Sequence, residues 1–535
     1  MTFRDLVVDR MHASGERVFL VDASSGRELT YAQFHKQACS VAAYLREQGV
    51  NHGDRVATVV PNCPELAVLY FACLYCGATI VPVNPNLSAT EADYILANCR
   101  PKCTVVSSSA RQRLSSMLHC PIILSSPQDP VMPGTEVAID FKRLADSSSF
   151  VPFSETSDDD LALIVYTSGT TAKPKGLAHH VGRMVRNAMA FAEAQEVDSE
   201  SRFYLTLSMA YMGGIYNLLL LPFLSGASVV VDHVFDARSS LTFWERARKF
   251  QVNTLWLAPT VLSILLKMDR GRQGEDYCRS SIRKTFVGFA PLPAKVRSDF
   301  EARYGVSLIE NYGLSETLFV SARSRTSDDP RENTQGYVGE PLPGIRLRAC
   351  DVHGSVVPSD EEGEIQVLTP DLMAGYLSES GDLQKVDAGG WFPTGDYGRI
   401  DHTGSLFITG RKKDLIIRGG INVSPAAIEE VLLHAARVID AAVVSVPHEI
   451  YGEDIVAVLK LDPGTNLDSV LESIMGQCKQ ALAAHQQPSR YMAIDEFPRT
   501  SNGKIQKVRL RELVWEKLQI PPEDTASLAK QSTPA

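Results

Sequence analysis

Helix-length and strand-length apolar patterns alternate along the first four hundred residues, a rhythm that few folds accommodate. The segments Glu65 to Cys76, Thr79 to Val83, Ser88 to Asn98 and Cys103 to Ser107 read as helix, strand, helix and strand. That alternation predicts α/β architecture, a large N-terminal domain of layered α/β subdomains with mostly parallel strands. Ser88-Ala89-Thr90-Glu91 is a capping box that opens a helix. Leu66 to Val83 carries no charge and is close to the lower length limit for a membrane span, but Gly77 and Pro82 divide it into a helix, a cap and a buried strand. Segments 107–127 and 144–158 are rich in Ser, Asp and Pro and read as surface connections.

At 535 residues the chain exceeds what one core supports, so two or more domains are expected. The boundary falls near residue 410, where Asp401-His402-Thr403-Gly404 turns into a strand and Gly410-Arg411-Lys412-Lys413 interrupts it. Beyond it come a helix with Ser424 as N-cap and Pro425 in its first turn, strands near 441–446 and 454–461, and a helix near 468–482. Residues 1–410 and 411–535 are therefore read as an N-terminal domain and a small α+β C-terminal domain, with a polar tail from Pro521.

Composition narrows the function. Hydrophobic content of 44% with 22% charged residues is that of a globular enzyme without a membrane span. The 53 basic and 63 acidic residues give a net charge of −10, which leaves no electrostatic footprint for nucleic acid. Met1 to Asp5 lacks the basic-then-apolar arrangement of a secretory signal, so a cytoplasmic location is expected. Cys73 and Cys76 form a CxxC within an apolar helix, with no second pair at zinc spacing, and read as buried free thiols.

The richest chemistry lies in Tyr166-Thr167-Ser168-Gly169-Thr170-Thr171-Ala172-Lys173-Pro174-Lys175-Gly176, which follows the apolar run Leu161 to Val165 and precedes a helix-like segment. Four hydroxyls and Gly169 leave little side-chain bulk, so backbone N–H groups and hydroxyls can approach a polyphosphate while Lys173 and Lys175 supply positive charge. The spacing is not that of a Walker loop.

This string resembles the nucleotide loop of the adenylate-forming superfamily, which includes acyl-CoA synthetases, 4-coumarate:CoA ligases, firefly luciferase and the adenylation domains of peptide synthetases. Four further motifs stand in the family's order: Asn311 to Thr317, Phe392 to Asp396, Gly410 to Asp414, and Pro498 to Lys504. The resemblance extends from about Thr30 to about Val514 and implies a mobile C-terminal lid. It implies that Thr167, Ser168, Gly169, Thr170, Thr171 and Lys175 line the ATP phosphates, although Ala172 stands where the family usually has glycine. Glu316 is similar to the family's magnesium ligand and Thr317 to its α-phosphate contact. Asn311, Tyr312 and Gly313 with Gly288, Ala290 and Pro291 would flank adenine, and Asp396 with Arg411 would hold the ribose. Lys504 would bridge the substrate carboxylate and the α-phosphate. Lys413 matches the hinge, and Gly419 and Gly420 match the region where a pantetheine arm passes.

The same resemblance locates an acyl pocket at Tyr211, Met212, Gly213, Leu314, Leu318 and Phe319. Tyr211 replaces a histidine common in acyl-CoA ligases and is a candidate catalytic gate; Leu318 and Phe319 are expected to shorten the pocket and Gly213 to widen another wall. No Asp near Tyr211 is available to hold an α-ammonium, so an apolar carboxylic acid, short to medium aliphatic or aromatic, is expected. Three readings stand: an acid:CoA ligase using ATP, magnesium and CoA; an enzyme that loads the phosphopantetheine thiol of a carrier protein; and a nucleotide-binding regulator or luciferase-like oxidase. Ile417, four residues after Lys413, weakens the oxidase reading. A monomer or a homodimer is compatible with all three.

Overall fold

Two large sheets take up the first 411 residues, and each changes character along its width. The computed structural model describes residues 2–113, 121–125, 138–140, 156–167, 174–323, 331, 334, 336–387, 389–499 and 505–520. In the nine-stranded sheet, Ala138–Asp140, Pro121–Ser125, Cys103–Ser107, Arg55–Val59, Thr79–Pro82 and Leu161–Thr167 run parallel in that spatial order. From Leu161–Thr167 onward, Lys175–His180, Gly375–Leu377 and Leu383–Lys385 continue it antiparallel. The thirteen-stranded sheet repeats this plan. Val18–Asp22, Ser228–Val231, Arg202–Leu205, Thr254–Leu257, Lys284–Val287 and Leu308–Leu314 are parallel, and Leu318–Ala322 turns back antiparallel.

The parallel half matches the alternating sequence pattern, because crossovers such as those through Pro64–Tyr75 and Ala294–Tyr304 carry a helix that covers a sheet face. Between Leu318 and Arg411 the strands pair antiparallel, as short connections permit. Gly363–Leu368 shows the alternating burial of a strand with one covered face. Segment 107–127 is more than a surface connection: Ser108–Arg113 is helical and Pro121–Ser125 extends the sheet, its run Ile122-Ile123-Leu124 having been outweighed by the Ser-rich flanks. Residues 144–155 of the second such segment lie outside the described residues.

The uncharged stretch resolves into the helix Pro64–Tyr75 and the strand Thr79–Pro82, joined at Gly77 with φ +68°. A Cβ at Gly77 would lie 2.3 Å from the His52 ring, so glycine is required twice over. Every residue of this helix is buried, including Glu65, whose carboxylate pairs with Arg27. A helix apolar all round is a core helix, and no described helix is long and apolar enough to cross a membrane. Cys73 and Cys76 are buried free thiols within it. Its Phe71 packs ring against ring with Phe34 and Phe223, and Phe34 with Phe19, anchoring the main core.

From Ile416 onward the chain builds a separate five-stranded sheet around the long hairpin Val438–His448 and Gly452–Leu461. Helices Pro425–Leu433 and Leu467–Ala481 cover one face through Ile428, Leu432, Ile474 and Cys478. Lys507–Lys517 covers the other through Leu510 and Val514. Ser424 stands at the N-cap of Pro425–Leu433 but does not cap it; its hydroxyl donates to the carbonyl of Thr409 and ties the helix to the strand Leu406–Arg411 of the thirteen-stranded sheet.

Candidate active site

Several of the segments singled out above follow the carboxyl end of a parallel strand, the edge at which open α/β sheets bind ligands, whereas Asp396 and Arg411 lie on antiparallel strands. Leu161–Thr167 leads into the hydroxyl loop, Arg202–Leu205 into Leu207 to Gly214, Lys284–Val287 into Gly288 to Pro291, and Leu308–Leu314 ends in Tyr312 to Leu314. Two of these edges are also the points where parallel pairing gives way to antiparallel.

Thr167 pairs with Lys175 and Tyr166 with Gly176, so the two flanks of the hydroxyl string are antiparallel neighbours. The helix expected directly after it begins only at Val181, because Leu177 and Ala178 first enter the sheet between Leu161–Thr167 and Gly375–Leu377. Ser168, Gly169, Thr170 and Thr171, with Ala172 and Lys173, lie outside the described residues, as does Lys504.

Three of the residues expected around the nucleoside converge. Asp396 and Arg411 face each other across paired strands, with Arg411 Nε 3.1 Å from Asp396 Oδ1. The Tyr312 hydroxyl donates to Asp396 Oδ2 at 2.7 Å. Burial pushes the Tyr312 phenol well above its usual value, so it remains a donor. The Thr394 hydroxyl receives the Asp396 N–H at 3.0 Å and donates to the Ile365 carbonyl at 2.7 Å, fixing the turn. Asn311 Nδ2 donates to the Val287 carbonyl at 3.0 Å, and its Oδ1 lies 2.9 Å from where a Gly288 Cβ would stand. Ala290 and Pro291 continue that strip at the surface.

The turn Ser315 to Thr317 departs from expectation. Thr317 is fully buried, its Oγ1 accepting the Leu314 N–H at 3.3 Å, so its hydroxyl closes the turn. Ser315 is the partly exposed hydroxyl of the turn. Gly313 permits the tight return, because a Cβ there would meet the Leu318 carbonyl oxygen at 2.1 Å. The Glu316 carbonyl accepts the Met373 N–H at 2.8 Å, and Glu316 Oε1 accepts the Tyr376 hydroxyl at 2.8 Å. His179 Nε2 donates to the Ser315 carbonyl at 2.6 Å, while its Nδ1 is buried without a partner among the described residues. Burial pushes His179 down to about 4, leaving a neutral ring. His179 and Tyr376 escaped the sequence reading: neither belongs to a motif quoted above, and each reaches the turn only through tertiary pairing.

Among the described residues no group of three or more His, Cys, Asp and Glu is gathered that could hold a metal. A single carboxylate such as Glu316 nevertheless suits magnesium, which is commonly bound by one or two carboxylates plus substrate phosphates and water.

At the acyl side Tyr211 is half-buried, its hydroxyl accepting Asn84 Nδ2 at 3.1 Å. Met212 precedes the π-helix Gly213–Leu220. Gly213 does not widen the wall: the Phe289 ring lies 3.0 Å from where its Cβ would be and takes that space. Phe289 itself holds φ +73°, strained for a bulky residue. Leu318 and Phe319 are buried, and Phe319 stacks on Phe191 and Trp256 with centroids 4.1 and 5.3 Å apart, so its bulk fills the core behind the site. Leu314 is partly buried at the strand end.

Lys412–Asp414 forms a single 3-10 turn between the large sheet and the small one, with Lys412 Nζ 2.7 Å from Glu364. Burial pulls the Lys413 ammonium down from its usual value. Gly419 and Gly420 make a turn at φ +59° and +82°, and the Gly419 N–H donates to the Tyr451 carbonyl at 2.8 Å. Glu430 of the small domain accepts the Ala294 N–H at 3.1 Å, capping a helix whose own N-cap, Pro293, offers no side-chain acceptor.

A nucleotide-binding edge on two switched sheets, followed by a small domain joined through one turn, defines the adenylate-forming class of enzymes. The model of the AMP-binding enzyme matches residues 8–377, and that of the AMP-binding enzyme C-terminal domain matches residues 427–504. The chain belongs to the AMP-binding enzyme family. It is 31% identical to the indoleacetate–CoA ligase of Aromatoleum aromaticum, over 92% of this chain and 94% of that one. It is 28% identical to the medium-chain fatty-acid–CoA ligase of Escherichia coli, over 95% and 89%. Among solved structures, ATP-bound MatB from Rhodopseudomonas palustris superposes with a TM-score of 0.83 at 26% identity, over 97% of this chain and 100% of that one.

Proposed function

We propose that this enzyme is an AMP-forming acid:CoA ligase that activates a compact apolar carboxylic acid, short to medium aliphatic or aromatic. The reaction joins two anions, a carboxylate and the α-phosphate of ATP, so charge neutralisation and positioning carry most of the barrier reduction. The observation that carries the reading is the convergence of Tyr312 and Arg411 on the Asp396 carboxylate, where the strand Leu308–Leu314 meets an antiparallel pair, an arrangement suited to seat a nucleoside.

The hydroxyl loop from Thr167 to Thr171 and Lys175 would receive the β- and γ-phosphates, Ser315 the α-phosphate, and Glu316 a magnesium ion. Magnesium, when bound, neutralises phosphate charge; Tyr376 and His179 hold the turn that presents Glu316 and Ser315. Lys504 would bridge the two reacting anions, and movement about Lys413 would exchange it for the Gly419-Gly420 turn, beside which the CoA thiol attacks the acyl adenylate. Leu207, Met212 and Phe289 supply apolar pocket surface, with the Tyr211–Asn84 pair as its polar feature, which supports an apolar acid. The two relatives described above are named as CoA ligases, which supports CoA over a carrier-protein arm.

Incubation with ATP, magnesium, CoA and a panel of acids tests the reading, with mass analysis of the thioester. Acyl-CoA from aromatic or C4 to C10 acids is expected; turnover confined to amino acids or to a carrier protein would contradict it.

A further inference from the structure

Among the residues that no nucleotide motif claimed, Tyr376 makes the most pointed contacts. It lies on the strand Gly375–Leu377, where every other residue from Asp371 to Leu377 is buried and Tyr376 alone is partly exposed. The strand pairs with Lys175–His180, Gly375 against Ala178 and Tyr376 against Leu177. In that register Tyr376 is the diagonal neighbour of Lys175 on the same sheet face, within reach of a long side chain. The Lys175 ammonium sits 6.0 Å from the Tyr376 ring centroid, at the outer limit of a cation–π contact. At its other end the hydroxyl donates to Glu316 Oε1 at 2.8 Å.

Gly375 allows the strand to lie there: with φ +154°, its Cβ would stand 2.0 Å from the Gln384 carbonyl oxygen. One aromatic side chain therefore spans from the lysine at the base of the hydroxyl loop to the carboxylate of the opposing turn. These two groups stem from different sheets, Lys175 from the nine-stranded and Glu316 from the hairpin of the thirteen-stranded one.

We propose that Tyr376 is a positioning residue of the nucleotide site, holding Glu316 Oε1 by its hydroxyl so that the other carboxylate oxygen faces the magnesium–phosphate complex, and steadying Lys175 by its ring. The inference rests on the reading of Glu316 as the magnesium-binding carboxylate. It divides the side chain into two separable duties: the hydroxyl serves the metal-dependent part of ATP affinity, and the ring serves the part carried by Lys175.

Equilibrium binding of ATP to the full chain, with magnesium and with EDTA, separates them, using Tyr376→Phe, Tyr376→Leu and Glu316→Gln with circular dichroism to confirm folding. Tyr376→Phe is expected to weaken magnesium–ATP about tenfold, the scale of a lost hydrogen bond to a charged group, and to leave metal-free ATP unchanged. Tyr376→Leu should weaken both forms. Unaltered magnesium–ATP binding in Tyr376→Phe, while Glu316→Gln binds it poorly, would overturn the proposal alone. Unaltered binding in Glu316→Gln would instead remove the reading of Glu316 on which it rests.

Discussion

Asp396 shows how much one carboxylate can organise. It is 4% exposed, yet holds a tyrosine hydroxyl on one oxygen and an arginine on the other. Replacing Tyr312 by Phe removes one of these contacts without changing the ring, so KM for ATP should rise about tenfold with kcat largely kept; a fall in kcat alone would contradict the assignment. His179 makes a pH prediction. Its pKa is pushed down to about 4 by burial, below an unfolded value near 6.5, so the unfolded chain binds the extra proton between those limits. Stability contributed by the neutral ring is complete above about pH 6.5 and is lost as pH falls towards 4, by roughly 3 kcal/mol over the window. Denaturation of His179→Gln across that range should show a flatter profile than the parent chain; identical slopes would count against it. At this scale the sequence was legible wherever a motif is local, as at Tyr312, Asp396 and Arg411. It was not legible where orientation decides: Thr317 and Ser315 are both hydroxyls, and only the closure of the turn buries one and leaves the other at the surface.

Strands and loops carry the next level. Parallel order was readable from helix–strand alternation, whereas the turn to antiparallel pairing after Leu161–Thr167 and Leu308–Leu314 was not, since short strands look alike in either sense. That change occurs once in each large sheet, at Leu161–Thr167 in one and Leu308–Leu314 in the other. The left-handed Phe289 was equally hidden, because nothing in Phe289-Ala290-Pro291 announces φ +73°. Its ring packs against Gly213, so Gly213→Ala inserts a methyl where 3.0 Å is already tight. Overpacking costs about 1–3 kcal/mol, so kcat/KM for the acid should fall about tenfold while KM for ATP holds. Equal changes for both substrates would mean that Gly213 does not border the acyl site.

Across the whole molecule the two sheets and the small domain have to cooperate, and the proposed two-step reaction assigns them in turn. Lys413→Pro fixes φ in the turn between domains and should preserve acyl-adenylate formation while slowing thioester formation. Lys504→Ala should do the reverse, costing about 3–4 kcal/mol of adenylation barrier and sparing thioester formation from preformed acyl adenylate. Equal loss of both steps in either variant would contradict the division of labour. The contact of Glu430 with Ala294, beside the Gly288 to Pro291 strip, shows the small domain engaged with the nucleotide edge in the orientation described here. The domain order was visible in the sequence, but this contact was not, since a carboxylate that caps a helix in another domain leaves no local mark. The most direct test of the central claim is the exchange of labelled pyrophosphate into ATP. An exchange that requires a carboxylic acid and needs no CoA is the result expected of a reversible acyl-adenylate step; release of ADP and phosphate, or no exchange with any acid, would contradict it.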